Sequence, residues 1–187
     1  MRSVLPFDEL NRFVTVTLPT HFDANGKIKS KKDEEDIIDE LLDLFLLAYA
    51  FGNEVTNASL SSDWTPTLDE VMETVDKEVA GKTWRERVED YFENGGSVGD
   101  IVRIAETETH RDANEAAYRT AINGGATMKT WECMMLPTSR DSHIWLNGTT
   151  VPIDAYFYAD DGSRAQFPGE FGVPEQDCNC LCQLSFS

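Results

Sequence analysis

The sequence predicts an α+β protein, with a helical N-terminal half and a long central helix packed on a small irregular C-terminal β unit. Apolar residues recur at three- and four-residue spacing through much of residues 31–122, which is typical of amphipathic helices. Beyond residue 127, turn-forming residues recur at short intervals, and the pieces between them are too short and too mixed for long helices. We therefore divide the chain into a mainly helical, acidic region, 1–96, and a second region, 97–187.

The first element predicted is a strand. Residues 12–18 alternate apolar and hydroxyl-bearing side chains, as a half-buried strand does, and Pro19 would end it. Residues 23–26, Asp-Ala-Asn-Gly, have the composition of a turn. His21 lies beside this turn, and we interpret it as a surface residue rather than a metal ligand.

Four helices are expected next. The first runs from Lys31 to about Phe51, with acidic residues in its first turn and Gly52 as its stop, followed by a polar loop over residues 57–64. The next two begin at Thr67 and Thr83. Glu70 lies three residues after Thr67, in the spacing of a capping box.

The fourth helix is the long central one. It begins at Ser97 and runs to about Ile122, where Gly124 and Gly125 end it. Its apolar positions are mostly small, so a neighbouring helix can approach closely.

The β unit follows residue 127. Residues 128–134 alternate well enough for a strand, and Asn147-Gly148 between two apolar runs predicts a hairpin over residues 144–153. Pro152 restricts the second strand of that hairpin to an edge or a bulge. Residues 167–174 are predicted to form a loop.

The charge of the chain limits its partners. The formal net charge is −18, and residues 31–100 alone carry 19 acidic and 6 basic residues. A surface this acidic repels phosphate, so we expect weak or no binding of duplex DNA. The acidic helices are either a solvated surface or a face that docks on a basic partner.

Neither a membrane span nor a secretory signal is predicted. The longest apolar run, residues 44–50, is far too short to span a bilayer. Acidic residues follow the N-terminus too closely for a signal peptide, which favours synthesis in the cytoplasm, where thiols stay reduced.

Cysteine and histidine residues offer a possible structural zinc site. Cys180 and Cys182, with His143 and possibly Cys178 or Cys133, supply enough soft ligands for a tetrahedral ion. One intervening residue places the side chains of a cysteine pair on the same face of an extended strand. Buried free thiols and a disulfide are the alternatives.

Polar residues on the central helix allow two interpretations. Glu108 would act as an acid or base with His143 in an active site, or Arg103 and Glu108 would pin the β unit by pairing with Arg140 or Asp154. The sequence lacks a glycine-rich phosphate loop, a His-Glu-x-x-His motif and a Gly-x-Ser-x-Gly motif. These observations favour a protein that is not an enzyme.

An ordered series of motifs carries a family resemblance. They are Arg103-Ile-Ala-Glu-Thr107-Glu108, Asn114, Trp131, Arg140-Asp-Ser-His143, Leu146-Asn-Gly148, Val151-Pro-Ile-Asp154, Phe157 and Asn179-Cys180-Leu-Cys182. Over roughly residues 97–184 the chain resembles the C-terminal domain of the phage Mu F-like minor head protein, or head morphogenesis, family. The resemblance includes His143, Cys180 and Cys182, but not Cys133 or Cys178.

The resemblance implies a minor structural protein of a tailed-phage head. Such a protein is assembled in the host cytoplasm, lies in the head interior of the virion near the portal, and can leave with the DNA. Its partners would be the portal and other head proteins. Two other functions remain open at this point: a metal-assisted hydrolase or transferase centred on His143 and Glu108, and an acidic adaptor.

Overall fold

The computed structural model describes residues 6–187 and confirms the α+β class. The prediction that the chain has no signal peptide depends partly on residues 1–5, which lie outside the described residues. The helices, in chain order, are α1 (Pro6–Arg12), α2 (Lys31–Leu60), α3 (Leu68–Val75), α4 (Trp84–Asn94), α5 (Val98–Asn123), α6 (Asp141–Leu146) and α7 (Pro174–Asp177). The strands are β1 (Met128–Glu132), β2 (Thr150–Pro152), β3 (Phe157–Tyr158), β4 (Arg164–Ala165) and β5 (Gln183–Phe186).

The strand predicted over residues 12–18 is wrong. This segment forms a π-helical turn, Phe13–Thr17, and a 3₁₀ turn, Leu18–His21. Phe13 and Leu18 are both buried, and their spacing of five residues matches the i→i+5 repeat of a π-helix. Burial of these two side chains in one core therefore overrides the alternating pattern.

His21 is not on the surface, contrary to our interpretation. Its side chain is buried, and its Nδ1 lies 3.0 Å from Oδ1 of Asp33 in the first turn of α2. The histidine therefore ties the N-terminal turns to α2.

Helix α2 begins where predicted but continues well past its predicted stop. Ser30 caps it by accepting a hydrogen bond from the Asp33 backbone N–H, and the helix ends only at Leu60, so the predicted loop over 57–64 begins at Ser61. Gly52 lies inside α2, where an added Cβ would be 2.1 Å from the carbonyl oxygen of Ala113 in α5. The glycine allows close helix packing rather than ending the helix.

The remaining helix predictions are confirmed. Thr67 and Thr83 each cap a helix, and both form complete capping boxes, with Glu70 and Glu86 respectively. Helix α5 follows Ser97 and ends at Asn123. Helices α2 and α5 pack along each other, and their core extends to Trp84 and Val88 of α4.

The β unit is built around β1. This strand is central in a three-stranded antiparallel sheet of order β2-β1-β5, so β2 is an edge strand, as Pro152 predicted. Strands β3 and β4 form a separate antiparallel pair. Residues 167–173 form a loop, as predicted, and α7 begins at Pro174.

The predicted hairpin around Asn147-Gly148 is wrong. Residues 141–146 form α6, and Gly148 makes the turn after it with a φ of +76°. The strand that follows, β2, pairs with β1 instead of with residues 144–146. The turn signal was correct, but the element before it is a helix.

None of the helices in residues 6–187 is long and apolar enough to cross a membrane.

Candidate metal centre

Three side chains meet where α6 lies beside the segment that leads into β5. His143 is on α6, and Cys180 and Cys182 are on that segment; all three are buried. The Nδ1 atom of His143 lies 3.5 Å from the Sγ atoms of both cysteines. The three ligand atoms all lie within 4.8 Å of one another.

This geometry suits a tetrahedral metal ion. With Zn–S near 2.3 Å and Zn–N near 2.05 Å, the N···S edge of a tetrahedral site is about 3.6 Å. The two observed N···S distances are 3.5 Å. The cluster of His143, Cys180 and Cys182 could therefore hold a metal ion.

The other two cysteines are not part of the cluster. Cys133 and Cys178 are half-buried free thiols, and neither belongs to the group of ligand atoms. The Sγ of Cys133 instead accepts a hydrogen bond from the backbone N–H of Met135. Of the sequence-predicted ligands, the structure thus brings together the three that the family resemblance includes.

The electrostatics of the cysteine pair favour one negative charge but not two. The Cys182 thiol donates to Cys180 and lowers its pKa, although burial acts in the opposite direction. The same interaction, together with burial, raises the pKa of Cys182. The second thiolate therefore needs a compensating cation, which a bound metal would provide.

Aromatic rings enclose His143. Its ring stacks on Phe171 with centroids 5.6 Å apart and meets the edge of Trp131 at 5.4 Å. Its Nε2 is buried without a hydrogen-bond partner. The orientation of the ring therefore depends on packing in the aromatic core of the β unit and on the contacts of Nδ1 with the two cysteines.

Arg140 fixes the chain just before the cysteines. It is the N-cap residue of α6, and its guanidinium donates to the backbone carbonyls of Glu175 and Cys178. The predicted pairing of Arg140 with Glu108 is therefore wrong. Arg140 anchors the α7–β5 connection instead.

Helix α5 holds the same connection from the other side. Thr107 accepts a hydrogen bond from the Asn179 backbone N–H at 3.4 Å, and Asn114 donates to the Cys182 carbonyl at 3.0 Å. The interpretation that α5 pins the β unit through polar contacts thus applies, but to Thr107 and Asn114. Arg103 instead pairs with Asp100 within its own helix.

Glu108 lies in a buried ion cluster of the helical layer. Its carboxylate contacts Arg87 at 2.6 Å and Arg111 at 2.9 Å, and Arg111 also pairs with the fully buried Asp112. The structure does not place Glu108 in the ligand cluster of His143. Sequence reasoning missed Arg111 and Asp112, because a charged pair in a helix is usually solvated.

Lys129 is a second buried charge that the sequence analysis missed. It lies on β1, and its Nζ is 4.4 Å from the ring centre of Tyr118 and 5.5 Å from that of Phe157. Burial lowers the pKa of Lys129 to about 8. The available signal was its position two residues before Trp131, on the inward face of the strand.

A narrow cleft of about 20 Å³ opens at the cluster. This is room for about one water molecule. Residues that line it beyond the cluster are Met134, Leu136, Thr138, Ser139, Arg140, Asn179 and Leu181. The cleft gives a single small donor access to the cluster.

Comparison with family models, curated proteins and solved structures found no match to this chain.

Proposed function

We propose that this protein is a minor structural component of a tailed-phage head, acting in head morphogenesis near the portal. The observation that supports the proposal is the convergence of the motif residues that carry the family resemblance. They lie at separate points of the sequence, yet several of them contact one short segment, residues 178–182.

The contacts come from two helices, α5 and α6. Thr107 and Asn114 hold the segment from α5, Arg140 holds the Cys178 carbonyl, and His143 meets its two buried cysteines. Trp131 packs in the same apolar core as Cys180 and Cys182. A motif set organised in this way is consistent with selection for a rigid C-terminal unit.

Zinc is the metal that we propose for the cluster. Two cysteines and one histidine are the ligand types that zinc prefers, and bound zinc would cross-link α6 to the C-terminal segment. A small β unit with short strands gains much stability from such a cross-link. In this role His143, Cys180 and Cys182 hold the unit together and turn over no substrate.

The acidic helices supply a docking surface in this proposal. Glu34, Glu35 and Asp39 of α2 line a groove with Glu89 and Glu93 of α4. Lys31 and Arg85 also line it, so acidic residues outnumber basic ones by five to two. Complementary charge on the portal or another head protein would orient the protein without direct DNA binding. We place the protein in the head interior of the virion after assembly in the host cytoplasm.

Particles produced by the genome that encodes the chain provide the test of location. We expect mass spectrometry of purified procapsids to detect the protein at low copy number, and deletion of its gene to reduce the yield of filled heads. Absence from procapsids and mature particles, with normal yield after deletion, would reject the proposal.

Metal content and thermal unfolding test the zinc assignment. We expect about one zinc per chain, and a melting temperature that falls on chelation or in the variants His143→Ala and Cys180→Ser. Cys133→Ser is the matched control, because Cys133 is outside the cluster. Bound metal whose removal leaves the melting temperature unchanged would reject the structural role.

One observation favours a second function, a metal-assisted hydrolase. Three protein ligands beside a water-sized cleft is the arrangement of catalytic rather than structural zinc. Glu108 pairs with Arg87 and Arg111, so it would not serve as the base that activates the attacking water. Metal-dependent hydrolysis of an activated ester that is lost in His143→Ala would establish this alternative.

A further inference from the structure

We infer that the metal centre has an open fourth coordination position, which takes a thiolate donor from outside this chain. The inference rests on the proposed binding of zinc at His143, Cys180 and Cys182. It goes further by assigning a ligand-binding role to the cleft beside them.

The part of the chain that the structure describes supplies three ligands. Across residues 6–187, no fourth His, Cys, Asp or Glu side chain joins the three in one group of candidate ligand atoms. Zinc bound to protein is almost always four-coordinate, and structural sites usually take all four ligands from the chain. The fourth ligand here must therefore be water or an external group.

The cleft leads from the cluster to the surface. Its volume of about 20 Å³ admits one donor atom rather than a chelating group. Met134 and Leu181 on its walls are exposed to solvent, as is Thr138. A donor at the end of a slender side chain or small molecule can therefore reach the metal.

Charge and ligand type favour a thiolate. Two cysteine thiolates and a neutral imidazole cancel the charge of Zn²⁺, so a fourth anionic ligand would make the centre negative. Arg140 lines the cleft, so its guanidinium places a positive charge beside the open position. It would offset the added charge, and soft sulfur ligands suit zinc.

A cobalt-substituted protein provides the test. Cobalt(II) reports tetrahedral geometry and thiolate number by visible and near-ultraviolet absorption. We expect titration with 2-mercaptoethanol to raise the sulfur-to-cobalt charge-transfer band about 1.5-fold, because three thiolates replace two. A tetrahedral cobalt spectrum that does not respond to millimolar thiol overturns this inference alone, whereas failure of cobalt to bind also overturns the zinc proposal.

A variant with an internal donor provides a second test. Thr138→His places an imidazole at the cleft, so it should occupy the fourth position and abolish the response to thiol. Thr65→His, an exposed threonine outside the cleft, is the matched control and should respond like the wild type. A full thiol response in Thr138→His together with none in the wild type would contradict the inference.

The source of the thiolate is tested with a peptide. A short unstructured peptide with one cysteine is compared with the same peptide carrying serine. A response to the cysteine peptide as well as to 2-mercaptoethanol supports a cysteine of a partner protein as the ligand. A response to 2-mercaptoethanol alone supports a small thiol.

Discussion

Replacement of Trp131 by alanine should be among the most destabilising single changes in the β unit. The side chain is 0% exposed, and its ring centre lies 5.1 Å from that of Phe157 and 5.7 Å from that of Phe171. Complete burial of a tryptophan predicts a loss of about 3–5 kcal/mol on truncation to alanine. Among residues 6–187 the indole Nε1 finds no hydrogen-bond partner, so its removal relieves an unsatisfied donor and places the expected loss near the lower limit.

Urea unfolding followed by far-ultraviolet circular dichroism measures this loss. With a slope of about 2 kcal/mol/M, a loss of about 3 kcal/mol lowers the midpoint by about 1.5 M. Trp145 is the matched control, because it lies on α6 and is 83% exposed. Its replacement should change stability by no more than about 0.5 kcal/mol. Equal, small shifts for both variants would refute the proposed aromatic core.

Three further predictions concern the helical layer, the buried lysine and the charge of the chain. Gly52→Ala should destabilise the protein by about 1–3 kcal/mol or more, because its Cβ would overlap the Ala113 carbonyl. The control is Gly99→Ala in α5, whose Cβ would meet only an ordinary contact and which should stabilise the protein by about 0.5–1 kcal/mol. Urea midpoints that shift in the same direction for both variants would contradict this prediction. Burial lowers the pKa of Lys129 from 10.5 to about 8 in the folded protein, so the unfolded chain binds more protons between these pH values and stability should rise with pH there. The rings of Tyr118 and Phe157 favour the ammonium and should reduce this slope. Lys129→Met should remove the slope, and equal slopes in both proteins would refute the prediction. With a net charge of −18, the isolated protein should bind duplex DNA only weakly, and submicromolar, salt-sensitive binding in a filter or anisotropy assay would contradict that expectation.

The sequence predicted the elements whose signals are local. The capping boxes at Thr67 and Thr83 depend on residues three apart, and both helices begin where those residues place them. Pro152 lacks the backbone donor that a central strand needs, and β2 is indeed at the sheet edge. In each case the residues that determine the element lie within a few positions of one another in the sequence.

The failures occurred where distant contacts decide the structure. Gly52 looked like a helix stop, but its neighbour is Ala113, 61 positions away, and only a close helix crossing explains it. Phe13 and Leu18 became helical because one core buries both. The Asn147-Gly148 turn was predicted, yet nothing in the neighbouring sequence shows that the next strand, β2, pairs with β1.

For the same reason, the sequence predicted only part of the candidate site. Cysteine and histidine types, and the spacing of Cys180 and Cys182, predicted a set of ligands but left Cys178 and Cys133 as possible further members. The choice depends on how α6 faces the C-terminal segment, which the anchors Arg140 and Asn114 determine. Those contacts span 38 and 68 positions of the chain, beyond any local pattern.

Alkylation of the four cysteines distinguishes metal, disulfide and free thiol at the cluster. Cys133 and Cys178 are half-buried, whereas Cys180 and Cys182 are buried. We expect iodoacetamide, followed by peptide mass spectrometry, to modify the first two rapidly and the second two slowly in the native protein. Chelator should then accelerate modification of Cys180 and Cys182, because it removes the ion that holds both thiolates.

Each alternative gives a different labelling pattern. A Cys180–Cys182 disulfide would resist labelling until a reductant is added, with or without chelator. Free buried thiols would react slowly at a rate that chelator does not change. In His143→Ala the loss of one ligand should make the two cysteines reactive without chelator, while Cys133 and Cys178 keep their wild-type rates. Slow labelling of the wild type that changes neither with chelator nor with reductant would therefore leave packing alone, and no metal, as the protection of the cluster.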